Sequence, residues 1–243
     1  MTDKTTEVHL KMFKGHDAGR ERRIINGDYL AEILYPMFKP ETVIDLGCGL
    51  GFFLSSMQKN GAKITAIDND WVKELETAAP IKSYVFHDLN QPFASKKRFD
   101  LATSFEVAEH LDPERSEPLV QELCALSDTI AFSAAIPGQS GSGHINLKWQ
   151  SDWAELFEQQ GYLCYDVIRP AMAEKENAYF WFRQNALVFI KDGEDVPDNV
   201  RGRLIKPEAA NQVCRNLYKR KMRRAENEIK KLKKELAKYE SGA

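Results

Sequence analysis

Two hydrophobic patterns alternate along the chain. Short apolar runs read as buried strands. Longer stretches with apolar positions three and four apart read as helices. The runs predict strands over Thr42–Leu46, Ala62–Ile67, Ser83–Phe86, Phe99–Ser104, Thr129–Ala134, Tyr162–Ile168 and Ala186–Ile190. Between them, helices are expected over Phe52–Met57, over Trp71–Ala78 up to Pro80, after Ser104 with Pro113 and Pro118 as punctuation, and over Asp152–Gln160, ended by Gly161. An earlier helix is expected over residues 17–35, with Ile24, Ile25, Tyr29, Leu30, Ile33 and Leu34 at helical spacing and Pro36 and Pro40 ending it. Gln139–Gly143 reads as a flexible loop. Regular alternation of strand and helix implies an α/β fold, a mostly parallel seven-stranded sheet with helices on both faces. Ligands of such sheets sit beyond the carboxyl ends of the strands, where Asp45, Asp68, Asp88 and Glu106 all fall.

The same pattern divides the chain. Residues 1–40 form a lead-in and a helix that could lie over a ligand as a lid; 41–192 form the α/β domain; 193–212, rich in Asp, Gly, Pro and Lys, read as a linker. Residues 213–240 form one long helix. In it Tyr218, Met222, Ala225, Ile229, Leu232, Leu236 and Tyr239 are spaced alternately four and three, a coiled-coil seam.

Charge sharpens this division. The whole chain carries −2, but residues 217–239 contain ten Lys/Arg and three Glu, so the remainder is acidic. An acidic body is a poor surface for nucleic acid. The tail is expected to self-associate into a homo-oligomer through residues 213–240. Cys48, Cys124, Cys164 and Cys214 form no C-x-x-C pair and read as reduced thiols. No apolar run approaches the ~20 residues that span a bilayer, and Met1–Thr5 is polar, so a cytoplasmic location is expected.

The chemistry starts at Val43-Ile44-Asp45-Leu46-Gly47-Cys48-Gly49-Leu50-Gly51, a buried strand running into three alternate glycines and then a helix beginning at Phe52. A backbone that turns sharply and admits a ligand closely favours residues without Cβ. The helix start offers free N–H groups to a polar ligand. A dinucleotide turn needs G-x-G-x-x-G, and here Phe52 stands where the third glycine belongs. Asp68, 17 positions beyond Gly51, can accept hydrogen bonds from the ribose hydroxyls of any adenosine cofactor. These residues alone leave NAD and S-adenosylmethionine both open.

Asp45-Leu46-Gly47-Cys48-Gly49-Leu50-Gly51 resembles the D-x-G-x-G-x-G signature of the class I S-adenosylmethionine-dependent methyltransferases. Asp68, followed by Asn69, holds the place of the ribose-binding acid. Asp88-Leu89 resembles the adenine-contacting turn. The stretch from Phe99 through Phe105-Glu106 to Leu111 resembles the strand and helix start beside the cofactor's methionine end. The resemblance covers roughly residues 41–190. It implies a Rossmann-like class I methyltransferase fold, and a cofactor site of Asp45, Gly47, Cys48, Gly49, Gly51, Phe52, Asp68, Asn69, Asp88, Leu89, Phe105 and Glu106.

Acceptor chemistry must come from elsewhere. Methyl transfer needs alignment of the partners, removal of a proton from the acceptor and exclusion of water. His110, His144 and Glu109 are the candidate catalytic groups. An imidazole titrates near neutrality and can take a proton from a hydroxyl. Glu106, Glu109 and His110 would share one face if a helix begins there, and with His144 they could hold a divalent metal. That arrangement resembles the small-RNA 3′-end 2′-O-methyltransferases, which use an E-x-x-E-H run and a later His. Gly143–Trp153 resembles a stretch in methyltransferases of glycan and small-molecule pathways. Its Trp149 suits a sugar ring or a cation, whereas Trp153 could equally pack on the sheet. Tyr179-Phe180-Trp181-Phe182-Arg183-Gln184-Asn185 could wall the acceptor pocket, with Arg183 on an anionic group.

No Asn-Pro-Pro-Tyr-type run follows the fourth strand, which disfavours the family's N-methylation of bases or amides. The reading is S-adenosylmethionine-dependent O-methylation of a sugar, glycan or small hydroxylated metabolite. The alternatives are a metal-dependent RNA 2′-O-methyltransferase and, from another class, a cofactor-binding scaffold assembled through its coiled coil.

Overall fold

The computed structural model describes residues 19–241. The polar lead-in, with His9 and His16, lies outside them. The chain divides into two compact units, one ending at Asn211 and one starting at Gln212.

The first unit runs α1 (Arg20–Phe38), β1 (Thr42–Leu46), α2 (Phe52–Lys59), β2 (Lys63–Asp68), β3 (Tyr84–Phe86), β4 (Leu101–Phe105), α3 (Ser116–Leu126), β5 (Thr129–Ser133), α4 (Gln150–Gln159), β6 (Tyr162–Tyr165), α5 (Ile168–Ala173), α6 (Phe180–Asn185), β7 (Leu187–Lys191), α7 (Asp198–Arg201) and β8 (Leu204–Ile205). The second holds one helix, α8 (Arg215–Ser241). The sheet order is β3-β2-β1-β4-β5-β7-β6-β8. The strands from β3 to β5 are parallel to their neighbours, and β7 is antiparallel to both β5 and β6.

All seven expected strands are present, and an eighth joins them. The segment read as a linker contains α7 and β8, which pairs with β6 through Cys164↔Ile205 and Tyr165↔Leu204. A two-residue strand carries no readable alternation, so its Asp/Gly/Pro context dominated the reading. The short helix expected over Trp71–Ala78 is a 3-10 turn over Asp70–Glu74. Helix α1 runs through Pro36 and stops at Lys39, which takes a left-handed conformation. A proline near a helix end forfeits one hydrogen bond without stopping the chain there.

Strand residues bury both faces, as a sheet between helix layers requires. In β1, Val43 packs with the layer of α1, α2 and α5, while Ile44 and Leu46 pack with α3 and α4. In β7, Val188 and Ile190 take the first side and Leu187 and Phe189 the second. Phe157 of α4 stacks on Phe189 at 4.0 Å between centroids. This alternation leaves Asp45 and Asp68 at the carboxyl edge, Asp45 level with Thr103 of β4.

The expected lid helix α1 packs tightly on α2. A Cβ on Gly27 would come within 2.8 Å of the Phe52 backbone. Asp28 accepts a hydrogen bond from Ser56 Oγ. Asn26 ties α1 to the aromatic stretch by accepting from Tyr179 N at 2.7 Å.

Candidate functional site

The glycine turn after β1 is built by backbone geometry. Gly47, Gly49 and Gly51 have φ of 82°, 55° and 73°, in the left-handed region that favours glycine. Space forbids a side chain as well. A Cβ on Gly47 would lie 2.3 Å from Val107, and one on Gly51 2.6 Å from Ala79. The turn is anchored by Gly47 N and Cys48 N donating to Ile67 O at 2.8 and 3.1 Å. Tyr84 Oη donates to Gly49 O at 3.1 Å.

Asp68 sits against this turn. Its carboxylate accepts from Gly49 N at 2.6 Å and from Asn69 N at 2.7 Å. Burial pushes its pKa up to about 6, against the pull of those two N–H groups. Asp45 accepts from Thr103 Oγ1 at 2.7 Å. Burial raises its pKa to about 7, opposed by Thr103 and reinforced by the nearby Asp68. Two buried carboxylates side by side without a cation between them are costly. They fit a ligand that donates several hydrogen bonds. Burial also pushes the Cys48 thiol well up, so it stays neutral.

The turn after β3 is held from outside the predicted set. Asp88 accepts from Asn90 N at 3.0 Å and Leu89 is buried. Arg115 donates to Leu89 O at 2.9 Å and binds Glu122 through a mostly buried ion pair at 2.7 Å. Arg115 thereby fixes the Asp88–Leu89 turn onto α3. Phe52 begins α2 and lies under the Arg20 guanidinium at 5.4 Å. Phe105, at the end of β4, meets Phe53 edge-on at 5.5 Å and Phe182 at 5.8 Å.

The loop after β4 corrects one expectation. No α-helix begins at Glu106. That residue is left-handed with φ of 57°, a 3-10 turn covers Ala108–His110, and α3 starts only at Ser116. Helical spacing therefore does not set Glu106, Glu109 and His110 on one face, although the Glu106 and Glu109 carboxyls still meet. Glu106 instead turns into a buried amide network. It accepts from Gln139 Nε2 and Asn185 Nδ2, each at 3.0 Å, while Gln184 Nε2 bridges Gln139 and Asn185, also at 3.0 Å. The four-residue metal set loses Glu106.

The other three members converge. One ligand atom each from Glu109, His110 and His144 lies within 4.8 Å of the others. The two imidazoles meet edge to face at 4.9 Å. The loop carrying His144 is tied to this spot by Ile145 N and Asn146 N, which donate to Glu109 O at 2.8 and 3.1 Å. Asn146 Nδ2 also donates to Ala108 O at 3.1 Å. Glu109 Oε2 and His144 Nδ1 are buried without a hydrogen-bond partner, an arrangement that favours a bound cation or polar ligand. Burial, then the charge of Glu106, holds the Glu109 carboxyl well above the usual range, and the Glu106 carboxyl is raised by its own burial. Burial lowers the His144 pKa. A carboxylate and two imidazoles suit a divalent cation such as zinc or manganese. Val107, two residues before Glu109, packs on Gly47, so the cluster rises from the loop that covers the glycine turn.

Two outer candidates have other duties. Trp153 is buried against Phe132 at 5.1 Å, so only the half-exposed Trp149 faces outward. Arg183 Nη2 donates to Lys175 O at 2.7 Å. Its geometry serves the local loop before any anion. Sequence reasoning gave no individual role to Gln139, Asn146, Gln184, Asn185 or Arg115. Asn146, Gln184 and Asn185 stand in stretches read as acceptor-site segments, Gln139 in a loop and Arg115 in an expected helix, where no periodicity marks an inward polar side chain.

Residues 17–129 match a family model described as a methyltransferase domain. A ubiquinone biosynthesis O-methyltransferase of Pseudoalteromonas translucida is 34% identical over 116 residues, 44% of this chain and 48% of that protein. The chain thus spans about half the length of that curated relative. Among solved structures, Streptomyces venezuelae DesVI aligns with a TM-score of 0.56 at 12% identity, over 75% of this chain and 98% of that one. A chain from the complex of the Haloferax volcanii Trm112 methyltransferase activator with a methyltransferase aligns at 0.53 with 17% identity, over 72% and 93%. At such identities the structural likeness speaks to the fold alone. No helix among the described residues is long and apolar enough to cross a membrane.

Proposed function

The chain carries a class I S-adenosylmethionine-dependent methyltransferase domain, and we propose that it methylates an oxygen of a sugar, glycan or other small hydroxylated acceptor. The observation that carries the acceptor half is the meeting of Glu109, His110 and His144 beside the glycine turn, with buried polar atoms of Glu109 and His144 unpartnered. The O-methyltransferase relative supports oxygen as the target. The acidic body disfavours RNA.

When bound, the cofactor supplies a methyl group on a sulfonium whose departure leaves a neutral thioether. The chain's own residues do the rest. The Gly47–Gly51 turn lets the backbone approach closely. Asp68 would accept from the ribose hydroxyls, the Asp88–Leu89 turn would take the adenine, and Asp45 would lie toward the methionine portion. Phe53, Phe105 and Phe182 meet edge-on at the end of β4 and would help keep water from the methionine end. As the acceptor oxygen gains its methyl, its proton passes to an imidazole of the cluster. His144, with its lowered pKa, is in the neutral form that accepts one.

The cluster also favours a second reading. Glu109, His110 and His144 would hold a divalent cation, which would lower the pKa of an acceptor hydroxyl. The test is S-adenosylhomocysteine formation from S-adenosylmethionine across a panel of hydroxylated and amine acceptors, with and without chelator. Turnover on hydroxyl acceptors alone is expected. Turnover only on amines contradicts the proposal. Loss with chelator and recovery with added metal selects the cation, and indifference to chelator selects the imidazole base.

Asp68 makes cofactor binding pH-dependent. Its pKa of about 6 leaves it protonated below that value and ionised above. The ribose hydroxyls donate to the ionised form, so affinity rises with pH. At pH 5 only about one-tenth of the molecules hold the ionised Asp68 and fewer still the ionised Asp45, so calorimetry should show S-adenosylhomocysteine binding at least about tenfold weaker than at pH 8.

A further inference from the structure

Among the described residues, helix α8 has an exposed apolar face. Tyr218, Met222, Ile229, Leu232 and Leu236 are all exposed, Leu236 to 58%, although with Ala225 they form an apolar stripe over residues 218–236 of the helix. We propose that this stripe pairs with the same stripe of a second copy of this chain, as a parallel, in-register, two-stranded coiled coil.

The placement of charge selects that occupant. The spacing sets Met222, Ile229 and Leu236 at the a positions of a heptad, and Tyr218, Ala225 and Leu232 at d. The basic residues Arg220, Arg223, Arg224, Lys230, Lys231 and Lys234 then fall at b, c and f, facing away from the seam, while Lys219, Lys221 and Lys233 fall at e and g. The acids Glu226, Glu228 and Glu235 fall only at e and g, the two positions flanking it. A helix lying on an anionic membrane needs cations all along the border of its apolar face, and here Glu226, Glu228 and Glu235 alternate with the lysines on that border. A nucleic-acid-binding helix has no use for acids there either. A second copy does. In a parallel pair, residue g of one chain meets e of the next heptad on the other. That sets Lys221 against Glu226 and Glu228 against Lys233, each twice by symmetry. Only the last pairing, residue 235 with residue 240, brings like charges together. In an antiparallel pair with the same core layers, Glu228 would face Glu228 and Lys233 would face Lys233. Ile at a followed by Leu at d suits two strands.

Sedimentation equilibrium of the full chain at micromolar concentration tests this. A mass of twice the chain is expected, falling to one chain in the double variant Ile229→Asp, Leu232→Asp with the circular dichroism of the α/β unit retained. A charge pair gives a second reading that does not depend on the core. Glu226→Lys with Glu228→Lys should weaken the dimer, and mixing with Lys221→Glu, Lys233→Glu should restore a mixed dimer. Orientation is read by mild oxidation. Ala225→Cys should cross-link with itself beyond the native chain, because a parallel pair brings the two 225 positions together and an antiparallel pair sets 225 opposite 236. A single-chain mass throughout, including a monomer that sediments with anionic vesicles, overturns the proposal. So does cross-linking only between Ala225→Cys and Leu236→Cys chains.

Discussion

Asp68→Ala is expected to weaken S-adenosylhomocysteine binding by roughly 100-fold, about 3 kcal/mol, the scale of one or two hydrogen bonds to a charged group. The expectation follows from where the carboxylate sits. Asp68 ends β2, level with the glycine turn, and its oxygens already accept from Gly49 N and Asn69 N. Its removal therefore costs the ribose contacts and also releases the N–H of the turn's middle glycine. Asp68→Asn should fall between the two. It keeps an acceptor oxygen for one hydroxyl, but offers a donor where Gly49 N–H needs an acceptor. Stability should change much less than binding. Burial already makes the ionised carboxylate costly, as its raised pKa records, so the cofactor-free fold loses little when the charge goes. Titration calorimetry paired with thermal melting separates the two effects. An unchanged dissociation constant in Asp68→Ala would mean that the ligand lies elsewhere.

Turnover should respond most to the acceptor cluster. His144→Ala is expected to lower kcat by about 10²–10⁴-fold, the usual worth of a positioned general base, and Glu109→Gln to abolish any chelator-sensitive turnover by removing the carboxylate ligand of the cluster. Cofactor affinity should stay within a few-fold of the parent. Glu109→Gln is close to isosteric and leaves the backbone oxygen that accepts from Ile145 N and Asn146 N in place. His144→Ala removes a ring that packs against Gly141 and His110, so its loss has a packing component. Rescue by added imidazole separates chemistry from packing, since a small molecule can refill a proton-accepting site but not restore a loop. Full activity in both variants would place the acceptor chemistry away from this cluster.

How much of this was legible in the chain depended on period and spacing. The strands from Thr42 to Lys191 declared themselves as apolar runs because both faces of the sheet are buried, and boundaries moved by only a residue or two except at β6, which ends at Tyr165. The glycine turn was legible because backbone conformation restricts the residue type: Gly47, Gly49 and Gly51 all hold positive φ. The acid after the second strand followed from the same geometry. The loop after β4 was harder. Glu106, Glu109 and His110 have helical spacing, yet the left-handed backbone at Glu106 sends its carboxylate toward Gln139 and Asn185. Nothing local marks a glutamate as left-handed. The amide network was invisible for a related reason. Its members come from the loop after β5 and from α6, and only the folded sheet brings them together. His144 stood out because imidazoles near a sheet edge are chemically conspicuous, whereas Asn146, two residues away, drew no role of its own within the Gly143–Trp153 stretch although it ties that loop to Ala108.

The measurement that tests the central claim most directly is parallel calorimetric titration of the full chain with S-adenosylhomocysteine and with NADH. The account predicts one S-adenosylhomocysteine per chain with micromolar affinity and no heat from NADH. Binding of NADH, or the absence of S-adenosylhomocysteine binding at pH 8, would contradict it.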